Sequence, residues 1–403
     1  MAAALSPNGT GDLIGPSSSK KCRFSVIPEF PDELVIKTAT CVSELTDVRR
    51  TAHFLTPLQI TNCNGAVPEE ACSFSNASCS VLPIEPMHVF GSVFDKGIRL
   101  LLNYLDEKVL PERKQERHLL SKLLNYLLDT DSHAVLEKVM TLPQTNTVLL
   151  ANHLFANLAA SPTYTIDKRS KGKQHTACPC GNAGCTISGQ YGDTSLGHED
   201  VWHGYVDIII NNDLVLESVD KTDPESGLSP DEVELNSDNY NPQIIAKTIV
   251  FSFLQKQRHI ESDHFLFPCI GVEGKSLAFY FYDSDNDVLL ESSQIPLFIG
   301  KSGHQSTVNF AAVLASWLVV NYKYLCSGLT NGLLAPSKKA GFFSHAKLKL
   351  SIYESALKLG NVGICSHSKK IGCTVDTTDE IILEAKEKIV RIQAKGTGRP
   401  AII

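Results

Sequence analysis

Asp207 and Glu217 stand ten positions apart in apolar surroundings, where an unpaired carboxylate is costly. Asp207 interrupts the run Val206, Ile208, Ile209, Ile210, and Glu217 lies within 214–219. Asn211-Asn212-Asp213 between them is a turn signal, so the stretch reads as a hairpin with Asp207 in its first strand and Glu217 in its second. Carboxylates on adjacent strands can face the same side and share one divalent ion. Magnesium favours oxygen ligands and keeps several waters, so two carboxylates and a backbone carbonyl suit it. Such an ion activates water and polarises a phosphodiester oxygen. The plainer reading pairs Asp207 with a neighbouring cation and leaves Glu217 on a solvent face. His198, Glu199, Trp202 and His203 precede the hairpin and are candidates to line the same cleft. For His203 the choice lies between proton shuttle and packing.

A second set lies just upstream: His175, Cys178, Cys180 and Cys185, in a glycine-containing loop. A Cys₃His set is a known zinc arrangement, although the spacing is not that of a standard finger. Zinc here would staple the insertion rather than catalyse; the alternative is a loop of free thiols. Cys365, His367 and Cys373 form a looser group. Asp283–Asp287 resembles the start of a calcium loop. Val288 stands where that loop needs glycine and Gln294 where it needs glutamate, which favours a hairpin turn.

The elements that must position these residues follow from periodicity. Residues 1–85 are rich in Ser, Pro, Asn and Thr, and read as a disordered start with a loosely ordered segment around Phe24 to Leu58. From Met87 to Leu158 leucines recur at three- and four-residue steps, as in Leu119, Leu120, Leu123, Leu124 and Leu127, predicting a helical layer. A Cys-rich insertion spans 168–197, and the hairpin follows. A polar loop covers 220–241, and a buried helix from Gln243 to Gln255 follows Pro242. Strands are predicted over Phe265 to Val272, Leu277 to Tyr282 and Val288 to Glu291, then a helix over Val308 to Cys326. The α/β core and its helical layer thus occupy 86–330. An extension over 331–403 carries a charged terminal helix near Thr378 to Ala394. The expected class is α/β, with a mixed central sheet flanked by helices.

With that order in place, the chain resembles the PD-(D/E)XK nuclease superfamily, also called restriction-endonuclease-like, in its RecB-like branch. Gly204-Tyr-Val-Asp207, Glu217-Ser-Val219 and Gln243-Ile-Ile-Ala-Lys247 carry the resemblance, which covers roughly residues 150–300. It implies that Asp207 and Glu217 bind magnesium, that Gln243 orients the site, and that a lysine two residues after the glutamate assists the attacking water. Some RecB-like nucleases also carry an iron–sulfur cluster. The departure is Val219, which occupies the lysine position and carries no charge. Two lysines are candidates for its role. Lys221 shares the strand alternation, and Lys247 lies one helical turn after Gln243. Hydrolysis of DNA or RNA is the implied activity. The rivals are an inactive nuclease-fold module that binds nucleic acid or protein, and a regulatory protein without nuclease ancestry.

Composition sets outer bounds. The chain has 403 residues, 43% hydrophobic and 20% charged, which suffices for a sizeable core. No apolar run reaches the roughly 18 residues of a membrane span. The start lacks an apolar signal core, so an intracellular location, nucleus or cytoplasm, is expected rather than secretion. The sequons at Asn8 and Asn76 then carry no sugar, and twelve unevenly spaced cysteines read as reduced thiols. A net charge of −7 argues against generic coating of nucleic acid. Basic clusters at Lys168-Arg169-Lys171-Lys173 and Lys338-Lys339 leave room for local phosphate contacts.

Overall fold

The computed structural model describes residues 27–50, 53–67, 72–142, 146–170, 177–182, 184–219, 240–300 and 307–363. Lys221, His175, the group Cys365/His367/Cys373 and the predicted terminal helix lie outside these residues.

The class is α/β. One large mixed sheet is flanked by helices, as the periodicity predicts. Its strands include β1 (Phe54–Cys63), β2 (Cys79–Pro83), β4 (Tyr164–Asp167), β5 (Gln190–Gly192), β8 (Ile208–Ile210), β9 (Leu214–Ser218), β10 (Leu266–Glu273), β11 (Ser276–Asp283) and β12 (Val288–Ser292). The short β3 (His88–Val89) pairs with β1 off the main path. The order is β2-β1-β12-β11-β10-β9-β8-β4-β5. Neighbours are antiparallel except β9/β10 and β4/β5. A small side sheet contains β6 (Ser195–Gly197) and β7 (His203–Tyr205).

Strand alternation divides the core into two layers. Ile166, Ile208, Ile210, Leu214, Leu216, Ile270 and Val272 face a helical layer that packs α1 (Asp32–Thr46), α2 (Asp95–Glu107), α3 (Lys114–Leu128), α4 (Thr130–Val139) and α8 (Phe310–Val320). α8 is buried at every position. Between α4 and α8 come the short helices α5 (Asn146–Leu150) and α6 (Ala156–Leu158), with a π-helical turn, Ala151–Phe155, between them. Ile209, Val215 and Cys269 face the other way, onto α7 (Pro242–Arg258) and the Trp202/Phe342/Tyr353 cluster. Asn241 caps α7 by accepting from the Gln243 and Ile244 amides, and Pro242 opens its first turn. α7 is the crossover that makes β9 and β10 parallel.

The segment read as loosely ordered differs from expectation. α1 and β1 form there, and β1 is an inner strand pairing both β2 and β12. Part of its order comes from a partner more than two hundred residues away, as in Leu55 opposite Ser292, and part from β2 just downstream. Asp283–Asp287 is a turn in which Asp283 Oδ1 accepts from the Asp285 and Asn286 amides.

Candidate functional site

The β8–β9 hairpin closes through Asn211 and Asn212, both with positive φ (53° and 61°), a conformation asparagine tolerates better than most residues. Its register, Ile208 opposite Leu216, sets Asp207 opposite Glu217. Asp207 differs from expectation by lying at a bend between β7 and β8 rather than within a strand. Glu217 lies two residues beyond Val215, and Asp207 two before Ile209, so alternation turns both toward α7.

The two acids are locked reciprocally. The Asp207 amide donates to Glu217 Oε1 at 2.8 Å, and the Ser218 amide donates to Asp207 Oδ2 at 2.8 Å. Lys247 reaches in from α7 and donates from Nζ to Glu217 Oε2 at 2.6 Å. Glu217 and Lys247 are buried, while Asp207 is half-buried. The Lys247 ammonium also lies 5.8 Å from the centre of the Phe74 ring. Burial pushes the Glu217 carboxyl up to about 7; Lys247 opposes that shift and Asp207 adds to it. Lys247 is held above its ordinary value: burial works against its charge, but Glu217 and Asp207 outweigh it.

A third acid joins this end of the sheet. The Asp167 amide, at the end of β4, donates to the Asp207 carbonyl at 3.0 Å. Asp167 Oδ2 accepts from Arg169 Nε at 2.9 Å, and its Oδ1 accepts from the Arg169 amide at 3.0 Å. The guanidinium stacks over Tyr205, 3.3 Å from the ring centre. Sequence reasoning missed Asp167. The available signal was an acid closing the apolar strand Tyr164–Ile166 beside the basic cluster.

Other candidates separate from the acids. Gln243 is half-buried in the first turn of α7, and among the described residues no hydrogen bond ties its side chain to them. Val219 packs against the α7-side core. Trp202 and His203 belong to packing: Trp202 is fully buried and donates from Nε1 to Asn64 Oδ1, and His203 Nδ1 lies 2.7 Å from the Val201 carbonyl. His198 Nδ1 accepts from the Asp200 amide.

The cysteines converge on a different histidine. His153, Cys178, Cys180 and Cys185 bring their ligand atoms within 4.8 Å of one another, and the cluster can hold a metal ion. His153 Nε2 lies 3.1 Å from Cys178 Sγ. His153 comes from the π-helical turn, a feature frequent at functional sites. Its 25-residue distance from Cys178 hid it from a spacing argument. His175, the expected fourth ligand, lies outside the described residues.

Among the described residues, no helix is long and apolar enough to cross a membrane. No family model, no curated protein and no solved structure matches the chain.

Proposed function

We propose that the protein is a divergent PD-(D/E)XK-type hydrolase that cleaves phosphodiesters of DNA or RNA with magnesium. The observation that carries this reading is the Lys247 ammonium, 2.6 Å from Glu217 on the face both acids share. It supplies from the helix the cation that Val219 denies to the strand. The order β4–β8–β9–α7–β10, with β9 and β10 parallel, supports the same reading.

The donor set fits a hard cation. Each carboxylate oxygen has two lone pairs, so the hydrogen-bonded oxygens of Asp207 and Glu217 still have capacity to coordinate. A magnesium ion there would supply an activated water and Lewis-acid polarisation of the phosphodiester. Asp207 and Glu217 would hold the ion, fixed in place by the amides of Ser218 and Asp207. Lys247 balances the buried charge of Glu217 and offers further N–H donors toward an attacking water or a phosphoryl oxygen. Gln243, one turn earlier on the same helix, would orient the substrate side.

One observation favours the second reading, an inactive fold that binds nucleic acid or protein. Both Glu217 oxygens are already engaged, by Asp207 and by Lys247. Cleavage of DNA and RNA oligonucleotides with magnesium or manganese separates the two. Activity lost in Asp207→Ala supports the hydrolase. Equal activity in both proteins, or none in either, leaves only binding.

For the cysteine–histidine cluster, the metal we propose is zinc. Three soft sulfurs and one imidazole, buried except for the half-buried Cys185, are the donors of a structural zinc site.

A further inference from the structure

The cluster joins the helical layer to the loop that leads into β5, the last strand in the order of the large sheet. β5 has three residues, none fully buried, and among the described residues it pairs with the sheet along β4 alone, with Gln190, Tyr191 and Gly192 opposite Thr165, Ile166 and Asp167. A strand this short with so little buried surface is a weak edge. The loop before it folds back on itself: Ala177 bridges Thr186, and the Cys178 amide donates to the Cys185 carbonyl at 3.0 Å. This brings three thiols to one point, all of them free. The helical layer answers with two neighbouring side chains from the π-helical turn. His153 points at the thiols. Asn152 Oδ1 accepts from Tyr164 Oη at 2.8 Å and from the Ser188 amide at 3.1 Å.

Tetrahedral zinc with Zn–S bonds of about 2.3 Å needs sulfurs roughly 3.8 Å apart. The ligand atoms already lie within 4.8 Å of one another, so closing to that span asks for side-chain adjustment rather than a change of fold. Three thiolates and a neutral imidazole leave such a site with one net negative charge. Lys138 sits where it offsets that charge: its Nζ lies 2.9 Å from where a Cβ on Gly181 would be, inside the cysteine loop.

We propose that zinc bound by His153, Cys178, Cys180 and Cys185 is the fastener that pins β5 to the helical layer. The outer edge of the sheet, including the Asp167–Arg169 turn beside the carboxylates, is then ordered only in metal-loaded protein. This rests on the zinc reading above. Asn152 ties the same segments by hydrogen bonds to Tyr164, Thr186 and Ser188, open to water competition, whereas a metal contributes its binding energy directly to the closed form.

The test uses the purified full-length chain. Metal analysis should give one zinc per chain, falling at least about tenfold in Cys178→Ser/Cys185→Ser. Cobalt substitution should give the visible spectrum of a tetrahedral thiolate site, shifted by His153→Ala and unchanged by His175→Ala. Amide exchange at residues 190–192 and 164–167 should accelerate by at least about tenfold on chelation, while the β8–β9 hairpin keeps its protection. Stoichiometric zinc with unchanged exchange overturns the fastener and leaves the zinc reading standing. Absence of stoichiometric metal overturns both. A cobalt spectrum that responds to His175→Ala and not to His153→Ala overturns this ligand set.

Discussion

Lys247 and Glu217 form a buried ion pair, and the energetics of such pairs are asymmetric. Removing one partner leaves a charge without compensation in a poorly solvated place, at a cost of about 3–5 kcal/mol. Lys247→Met should therefore lower unfolding stability by that order, read from urea titrations. Glu217→Gln/Lys247→Met should cost clearly less than the sum of the single changes. Additive losses would show that the pair is not coupled. The pH dependence has a definite sign. Burial raises Glu217 to about 7. It raises Glu291 likewise to about 7, with Tyr280 opposing through a hydrogen bond and Glu273 adding to the shift. Both carboxyls bind protons more tightly folded than unfolded, where 4.5 is the ordinary value. Their contribution is complete below that value and is lost as the pH rises through about 7. Urea midpoints measured from about pH 5 to about pH 8 should fall through this contribution, and Glu291→Gln should flatten the slope. An unchanged slope would contradict the assignment.

At the scale of elements, the hairpin and α7 do most of the positioning. Asp207 and Glu217 were legible because a turn signal and strand alternation are local properties. Lys247 was legible as a candidate because it follows Gln243 by one turn. His153 was not legible, since it meets the cysteines only after the helical layer packs against the sheet edge. Asp167 was hidden for the same reason: it joins Asp207 through pairing of strands forty residues apart. α1 and β1 were missed because their stability comes from distant partners rather than from their own polar composition. The Asn241 cap sets where α7 begins, and hence where Lys247 emerges. Asn241→Ala should cost about 1 kcal/mol. If the cap also positions the lysine, the same change should reduce any cleavage rate more than it reduces substrate affinity. Wild-type stability in the variant would contradict the cap.

At the scale of the whole molecule, one mixed sheet separates two apolar layers, and the acids sit at the end facing α7. The net charge of −7 means that any nucleic-acid contact must be local. With few phosphates neutralised, oligonucleotide affinity measured by anisotropy in EDTA should fall with salt at a log–log slope of about −1 to −3. A slope steeper than about −5 would indicate an extended basic surface and contradict local contact.

The most direct measurement compares metal-dependent cleavage by four proteins: wild type, Lys247→Met, Val219→Lys, and Val219→Lys/Lys247→Met. Val219 packs on the α7 side of the sheet, two residues after Glu217, so a lysine there would approach the same carboxylates. Loss of about 10²-fold or more in Lys247→Met, with substantial recovery in the double variant, is the predicted result. Cleavage absent from wild type, or as fast in Lys247→Met as in wild type, would contradict a catalytic lysine delivered from α7.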